Sequence, residues 1–203
     1  FFQRRDDSKL CGVDEAIALI HTFAVHPEEL EIVALHDGDI IQANEPVLKI
    51  TGKYENFGFL ESMIDGILAR ESSVCNHVKQ ALKYIKPNQL IFMADRADLY
   101  LGQPYDGYAA WVAGLKTFTT KAHVEFISDK SVKIVGTMPH ALIQQFNGNL
   151  NKALWAYHKT LPKEKLSALV DYHNDVVTEI KKIDNKLKPF MNIFGSESLE
   201  LVN

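Results

Sequence analysis

Val132-Lys-Ile-Val-Gly-Thr-Met-Pro-His140, continuing into Ala141-Leu-Ile-Gln-Gln-Phe146, is the stretch that decides the fold class. Val132 to Val135 reads as a short strand, rich in β-branched residues. Gly136 permits a sharp turn, Pro139 suits a first helical turn, and Leu142 to Phe146 reads as helix. Strand, polar turn and helix recur in that order on both sides. Leu90-Ile-Phe-Met-Ala94 is an apolar strand ending at Asp95-Arg96, ahead of a helical stretch from Gln103 to Ala113. Leu166-Ser-Ala-Leu-Val170 follows the helical run Leu150 to His158 and ends at Asp171. Alternating β and α segments predict a parallel sheet, whose chemistry sits at the carboxyl ends of the strands. Asp95/Arg96, Thr137/His140 and Asp171 are therefore expected on one rim. His123 to Ser128 stays ambiguous, being β-rich by propensity but placed where a crossover helix belongs.

Upstream the pattern is different. Asp14 to Phe23 has a carboxylate-rich start and apolar residues at Ile17, Leu19, Ile20 and Phe23, which predicts an amphipathic helix. Leu30 to Leu35 and Pro46 to Ile50 read as strands, and Asp37-Gly38-Asp39 between them is turn chemistry. From Leu60 to Ile85 apolar residues recur mostly at three- and four-residue steps, one face of a long helix. Glu71 falls on that stripe, either as a paired structural carboxylate or as a site residue. Pro87-Asn88 closes the helix. The expected organisation is α/β: a small N-terminal α+β domain over residues 1–86, then part of an irregular α/β barrel over 87–203.

Composition narrows the function classes. With 203 residues, 46% hydrophobic and 24% charged, the chain is an ordinary globular protein. A net charge of −4 argues against broad nucleic-acid binding while leaving room for a local cationic pocket. No apolar run approaches the ~20 residues of a membrane span, and the opening does not read as a signal peptide. Cys11 and Cys75 make no metal or redox spacing, so free thiols in a reducing compartment are expected. The reading is a soluble, cytoplasmic protein. The chain opens at Phe1, its first methionine is Met63, and the part after Lys86 would fill about half of a barrel of ~250 residues. It reads as a piece of a longer protein.

Several residues carry the types that anion chemistry needs. Arg96 offers a planar guanidinium for phosphate or carboxylate, or else pairs with Asp95 or Asp98 on the surface. Arg70 on the long helix is a second candidate. Thr119, Thr120 and Thr137 can donate hydroxyls, or simply serve as loop residues. Lys116 is an electrostatic helper or a helix-end cation. Asp171 either holds ribose hydroxyls and a substrate-borne Mg²⁺ or caps the next helix. His140 opens a helix on the rim, as a site residue or a structural one.

These segments resemble, in order and spacing, the nicotinate phosphoribosyltransferases. The resemblance rests on Gly136-Thr-Met-Pro-His-Ala-Leu-Ile143, Glu45-Pro-Val-Leu-Lys-Ile-Thr-Gly52, Phe59-Leu-Glu61 with Ile67 to Val74, and Leu169-Val-Asp171. It spans about Phe1 to Asp175. It implies a two-domain enzyme joining nicotinate to 5-phosphoribosyl-1-pyrophosphate (PRPP), an entry step of NAD salvage. ATP as co-substrate, Mg²⁺ and a homodimer are also implied. His140 is similar to the family's phosphate-accepting histidine and Asp171 to its strand-end aspartate. Arg96, Arg70, Lys116, Thr119, Thr120 and Thr137 are expected as substrate contacts, with no metal held by the protein itself. A quinolinate or nicotinamide enzyme, and a catalytically silent binding or scaffold relative, are the rival readings. The family's next barrel strand, with its Asp-Ser-Gly pattern, and its Gly-rich 5-phosphate loops have no recognisable counterpart in Asp184 to Asn203.

Overall fold

The computed structural model describes residues 1–96, 98–136, 138–163 and 166–195, with the side chains of 96 and 192–195 left aside. The chain divides into two compact units, Phe1–Val135 and Gly136–Asn203.

The first unit opens with β1 (Ser8–Lys9) and α1 (Val13–Phe23). Val13, Ala16 and Ile20 form the buried face of α1, the three- and four-residue spacing of an amphipathic helix. Gly12, at φ 96°, turns the chain into it, and the Asp37 carboxylate accepts the Val13 N–H at 2.8 Å. The expected strands appear as β2 (Glu31–Ala34) and β4 (Leu48–Thr51), paired antiparallel from Glu31↔Thr51 to Ala34↔Leu48. Between them β3 (Ile40–Ile41) pairs antiparallel with β1.

Helix α2 (Glu61–Ala81) is the longest element, and a turn replaces its expected last residues. It buries Ile64, Leu68, Glu71, Cys75 and Val78, steps of four, three, four and three. Ile64 and Leu68 pack with Leu10, Val13, Ala16, Ile20 and Leu48. Val78 packs with Ala110, Leu115 and Phe118. One helix thus serves three apolar clusters, the third joining Cys75 to Cys11 and Ala109, and the pattern change near Lys86 lies inside the first unit.

Helix α3 (Gln103–Val112) lies against α2 and against the 3-10 turn Ala122–Val124, which occupies the ambiguous stretch. The expected strand at Leu90–Ala94 is reduced to one parallel bridge, Phe92↔Phe118. Phe118 belongs to β5 (Thr117–Phe118), which runs parallel to β6 (Lys133–Ile134).

The second unit alternates as expected: α4 (His140–Gln145), α5 (Leu150–Thr160), β7 (Leu166–Leu169), α6 (Val176–Lys182) and β8 (Met191–Gly195). Ile143, Ala153, Leu154, Leu166, Ala168 and Leu187 form its dry centre. Asn149 and Asp175 cap α5 and α6 by accepting the N–H of Lys152 and Thr178, each at 3.0 Å. Strand β8 corrects the sequence reading. A next parallel strand does exist, paired with β7 through Ser167↔Ile193 and Ala168↔Phe194. Its five residues, Met-Asn-Ile-Phe-Gly, mix one polar position and a glycine into a short run, so neither period nor length marks it. The fold is α/β, with a small strand-bearing N-terminal part followed by parallel βα units.

Gly107 fixes how closely α3 approaches the 122–124 turn, because an added Cβ would overlap the His123 carbonyl. Gly107→Ala is expected to destabilise the protein by about 1–3 kcal/mol, since backbone rather than a flexible side chain must yield. A urea denaturation midpoint checks it, and an unchanged midpoint would contradict that packing.

Candidate active site

The carboxyl ends of the parallel strands carry the polar groups in both units. In the first unit, β5 hands over at Thr119 and Thr120. The Thr119 hydroxyl lies 3.1 Å from both the Phe92 carbonyl and an Asp95 carboxylate oxygen. The Thr120 hydroxyl faces Gln103 Oε1 at 3.4 Å and accepts the His123 N–H at 3.2 Å. Gln103 in turn donates to the Asp95 carbonyl at 3.0 Å. The two threonines, Asp95 and Gln103 therefore form one hydrogen-bonded rim. Gln103 was not singled out from the sequence, where a glutamine at a helix start carries no distinctive signal.

Beneath that rim His123 is fully buried, edge-on to the Phe92 ring at 5.0 Å. Neither ring nitrogen has a partner among the described residues, and burial pushes its pKa below the usual histidine value. The imidazole is held neutral.

Two of the expected cations are committed to carboxylates. Arg70 donates Nε and Nη2 to the two oxygens of buried Asp106, at 2.9 and 2.7 Å, and Nη2 also meets Asp98 at 3.0 Å. Lys116 pairs with Asp129 over the Trp111 ring. It precedes β5, at the opposite end of the strand from Thr119. The Arg96 side chain and Thr137 lie outside the described residues.

In the second unit the structure brings two expected residues together. His140 is the first residue of α4, and its Nε2 lies 3.1 Å from Asp171 Oδ1, just past the end of β7. The carboxylate side chain is 3% exposed and the imidazole 37%. A buried acid thus orients a reachable base, an arrangement suited to general acid–base or nucleophilic work. The next two residues also matter. The Tyr172 ring lies 6.1 Å from that of His140 and 4.8 Å from that of His173, and His173 Nδ1 sits 3.1 Å from Glu179. The sequence reading stopped at Asp171 and missed this second pair.

Among the described residues no three His, Cys, Asp or Glu side chains are arranged to hold a metal ion. None of the described helices is long and apolar enough to cross a membrane.

Comparison with known proteins now bears on this geometry. Residues 1–72 match the family model for the quinolinate phosphoribosyl transferase N-terminal domain. The fold is similar to nicotinate-nucleotide pyrophosphorylase from Pyrococcus furiosus, with a TM-score of 0.74 and 25% identity over 95% of this chain and 47% of that one. The chain resembles the type II phosphoribosyltransferases in sequence and in fold. Human nicotinic acid phosphoribosyltransferase shares the fold at a TM-score of 0.70 and 14% identity, over 96% of this chain and 55% of that one. The Francisella tularensis nicotinate-nucleotide pyrophosphorylase does so at 0.57 and 15%, over 97% and 72%. The chain spans about half the length of the first two. No curated protein sequence matches it.

Among the described residues Glu71 has no ion-pair partner, and it stands in mid-helix rather than at a strand end. Its side chain lies inside α2's buried face, residue exposure 3%, with one oxygen unpartnered among the described residues and the other 3.5 Å from the Cys11 thiol. Burial first, and then the Glu15 carboxyl, push its pKa up from the usual 4.5 to about 9. The folded state therefore keeps a proton that the unfolded chain has released at neutral pH. Its contribution to stability is full below pH 4.5 and is lost as pH rises towards 9. Glu71→Gln, which cannot ionise, is expected to be more stable than wild type by about 1–3 kcal/mol at pH 8. The gap should close near pH 4.5. Denaturation at the two pH values checks both sign and window.

Proposed function

We propose that the protein is a type II phosphoribosyltransferase of NAD biosynthesis, joining a pyridine carboxylate, nicotinate, to PRPP. The observation that carries this reading is the His140–Asp171 pair at a strand-to-helix junction worded Gly-Thr-Met-Pro-His. In the reaction the bond between ribose C1 and the pyrophosphate oxygen breaks, and the oxygen keeps the electron pair. The pyridine nitrogen lone pair then forms the new bond to C1. The sugar carries positive charge as this happens, so the protein must neutralise the leaving group and fix the nicotinate carboxylate. Arg96 is assigned the anion contact, and Thr119 and Thr120 lend hydroxyls from the rim that Asp95 and Gln103 hold in place.

An imidazole nitrogen of His140, oriented by Asp171, accepts the terminal phosphoryl group of ATP as the bond to the bridging oxygen breaks. ADP leaves with the electron pair, and later hydrolysis of the phosphohistidine by water couples ATP to synthesis. Mg²⁺ enters as the counter-ion of the substrate phosphates rather than through a ligand cluster of the chain. The working form is a cytoplasmic homodimer.

A second reading takes quinolinate, favoured by the match of residues 1–72 to that enzyme's N-terminal domain. Quinolinate carries two carboxylates and calls for a denser cationic rim than Arg96 supplies, with Lys116 at the other end of β5.

The test is mononucleotide formation by the full-length protein with PRPP and Mg²⁺. Nicotinate, nicotinamide and quinolinate are offered in parallel, each with and without ATP. Turnover of nicotinate, faster with ATP, is expected. Preference for quinolinate would install the second reading, and no turnover by folded, full-length protein would point to a catalytically silent binding relative. Two variants locate the roles. His140→Ala should abolish ³²P incorporation from γ-labelled ATP, and undiminished labelling would remove it from the mechanism. Arg96→Ala should lower kcat/KM for the anionic substrates by about 10-fold or more, the worth of one charge-assisted pair.

A further inference from the structure

We propose that His173, held by Glu179, is a second anion-binding imidazole beside His140 and takes the oxygens of a phosphate-bearing ligand. The inference rests on the reading of His140 as a phosphate-handling residue and extends it to a residue outside that mechanism.

Three consecutive residues after β7 build the arrangement. Asp171 turns to His140, and His173 turns to Glu179 in α6, with Nδ1 to Oε1 at 3.1 Å. The Tyr172 ring lies against both imidazoles. The two pairs share one design. In each the carboxylate is the buried member, at 3% for Asp171 and 7% for Glu179, and the imidazole is the reachable one. The His173 side chain is 49% exposed.

Burying a carboxylate is costly, so its partner has to repay it. Capping α6 does not account for Glu179, because Asp175 already accepts the Thr178 N–H at that helix start. Glu179 instead fixes the ring of His173. With Nδ1 committed to the carboxylate, Nε2 is the nitrogen that faces a ligand, and the imidazolium form donates from it. At the neighbouring turn any residue larger than glycine would crowd that nitrogen. Gly148, at φ 77°, comes so close that an added Cβ would sit 3.1 Å from His173 Nε2 and 3.2 Å from Tyr172 Cε1. The Tyr172 ring stands beside both imidazoles at this strand end, and two such donors suit the several anionic oxygens of a polyphosphate better than a single carboxylate.

Such phosphates have two sources, the pyrophosphate of PRPP and the phosphates of ATP. The test follows the imidazole Cε1–H signals of the full-length protein by NMR, assigned with His140→Asn and His173→Asn. Magnesium pyrophosphate and magnesium ADP are titrated in separate arms. Both rings are expected to shift in at least one arm, and the arm names the source. His173→Gln should weaken binding about 10-fold, the loss of one charge-assisted hydrogen bond. Glu179→Gln, which keeps the ring but frees it, should weaken binding in the same direction and gives a second reading should His173→Gln misfold. A shift at His140 alone, or unchanged affinity in both variants, overturns the inference and leaves the proposed function standing. If neither ring moves in either arm, both fall.

Discussion

Helix α2 is the constraint on which the first unit depends. Its 21 residues span about 30 Å and contribute to three apolar clusters. A helix of that length is stable only if something covers its apolar stripe along the whole run. Ile64 and Leu68 are covered by α1 and the antiparallel strands, and Val78 by α3 and β5. Between these clusters the stripe crosses Glu71, and Cys75 packs with Cys11 and Ala109 in a third, smaller cluster. The backbone there is also tied down by side chains. Ser72 both accepts from Cys11 N–H and donates to its carbonyl at 3.0 Å, and Asn76 does the same for Lys9 at 2.9 and 2.8 Å. Polar zippering holds residues 9–11 against the helix beside this small cluster.

The second unit solves a different problem. Its strands are short, so each must pass quickly from dry interior to polar rim. Leu169 and Val170 are buried, and Asp171 follows at once. A carboxylate so placed has no water to solvate it and needs a hydrogen-bonding partner close by. His140, delivered by the start of α4, meets that need, and the same contact sets the imidazole's orientation. Fold and site therefore meet in this contact, since a group that hydrogen-bonds the buried acid is also one exposed to a ligand.

Much of this was legible in the sequence because it follows from periodicity. The stripe of α2, including Glu71, and the alternation of β7 with its flanking helices are patterns of apolar spacing, and spacing survives without coordinates. The strand ends were legible for the same reason, which is why His140 and Asp171 could be expected on one rim. What stayed hidden depends on partners distant in the chain. Glu179 meets His173 only because α6 folds back on the end of β7, and Gln103 reaches Asp95 across a turn. Strand β8 was hidden because five mixed residues carry no readable period, and the Phe92 bridge because a strand reading cannot say how much of a run finds a neighbour. Gly107 stood unremarked, since only the nearness of His123 gives it meaning.

The charges of the first unit show how a chain of net −4 can still present a cation. Arg70 is gripped by two aspartates of unequal standing. Asp106 is almost fully buried and holds the guanidinium through two parallel bonds, whereas the Asp98 side chain is 37% exposed and makes one contact. Losing the Asp106 contacts would strand a buried carboxylate, which is expensive. Losing the Asp98 contact returns an exposed carboxylate to water at a cost of ~1 kcal/mol or less. An incoming phosphate or carboxylate would therefore displace Asp98 and leave Asp106 as the rigid mount. The same comparison separates Arg70 from Lys116, whose ammonium has among the described residues no second, buried carboxylate to keep it in place once Asp129 is displaced. A fixed guanidinium loses less freedom on meeting a ligand than a flexible ammonium does, so of the two cations Arg70 is the one better prepared to bind.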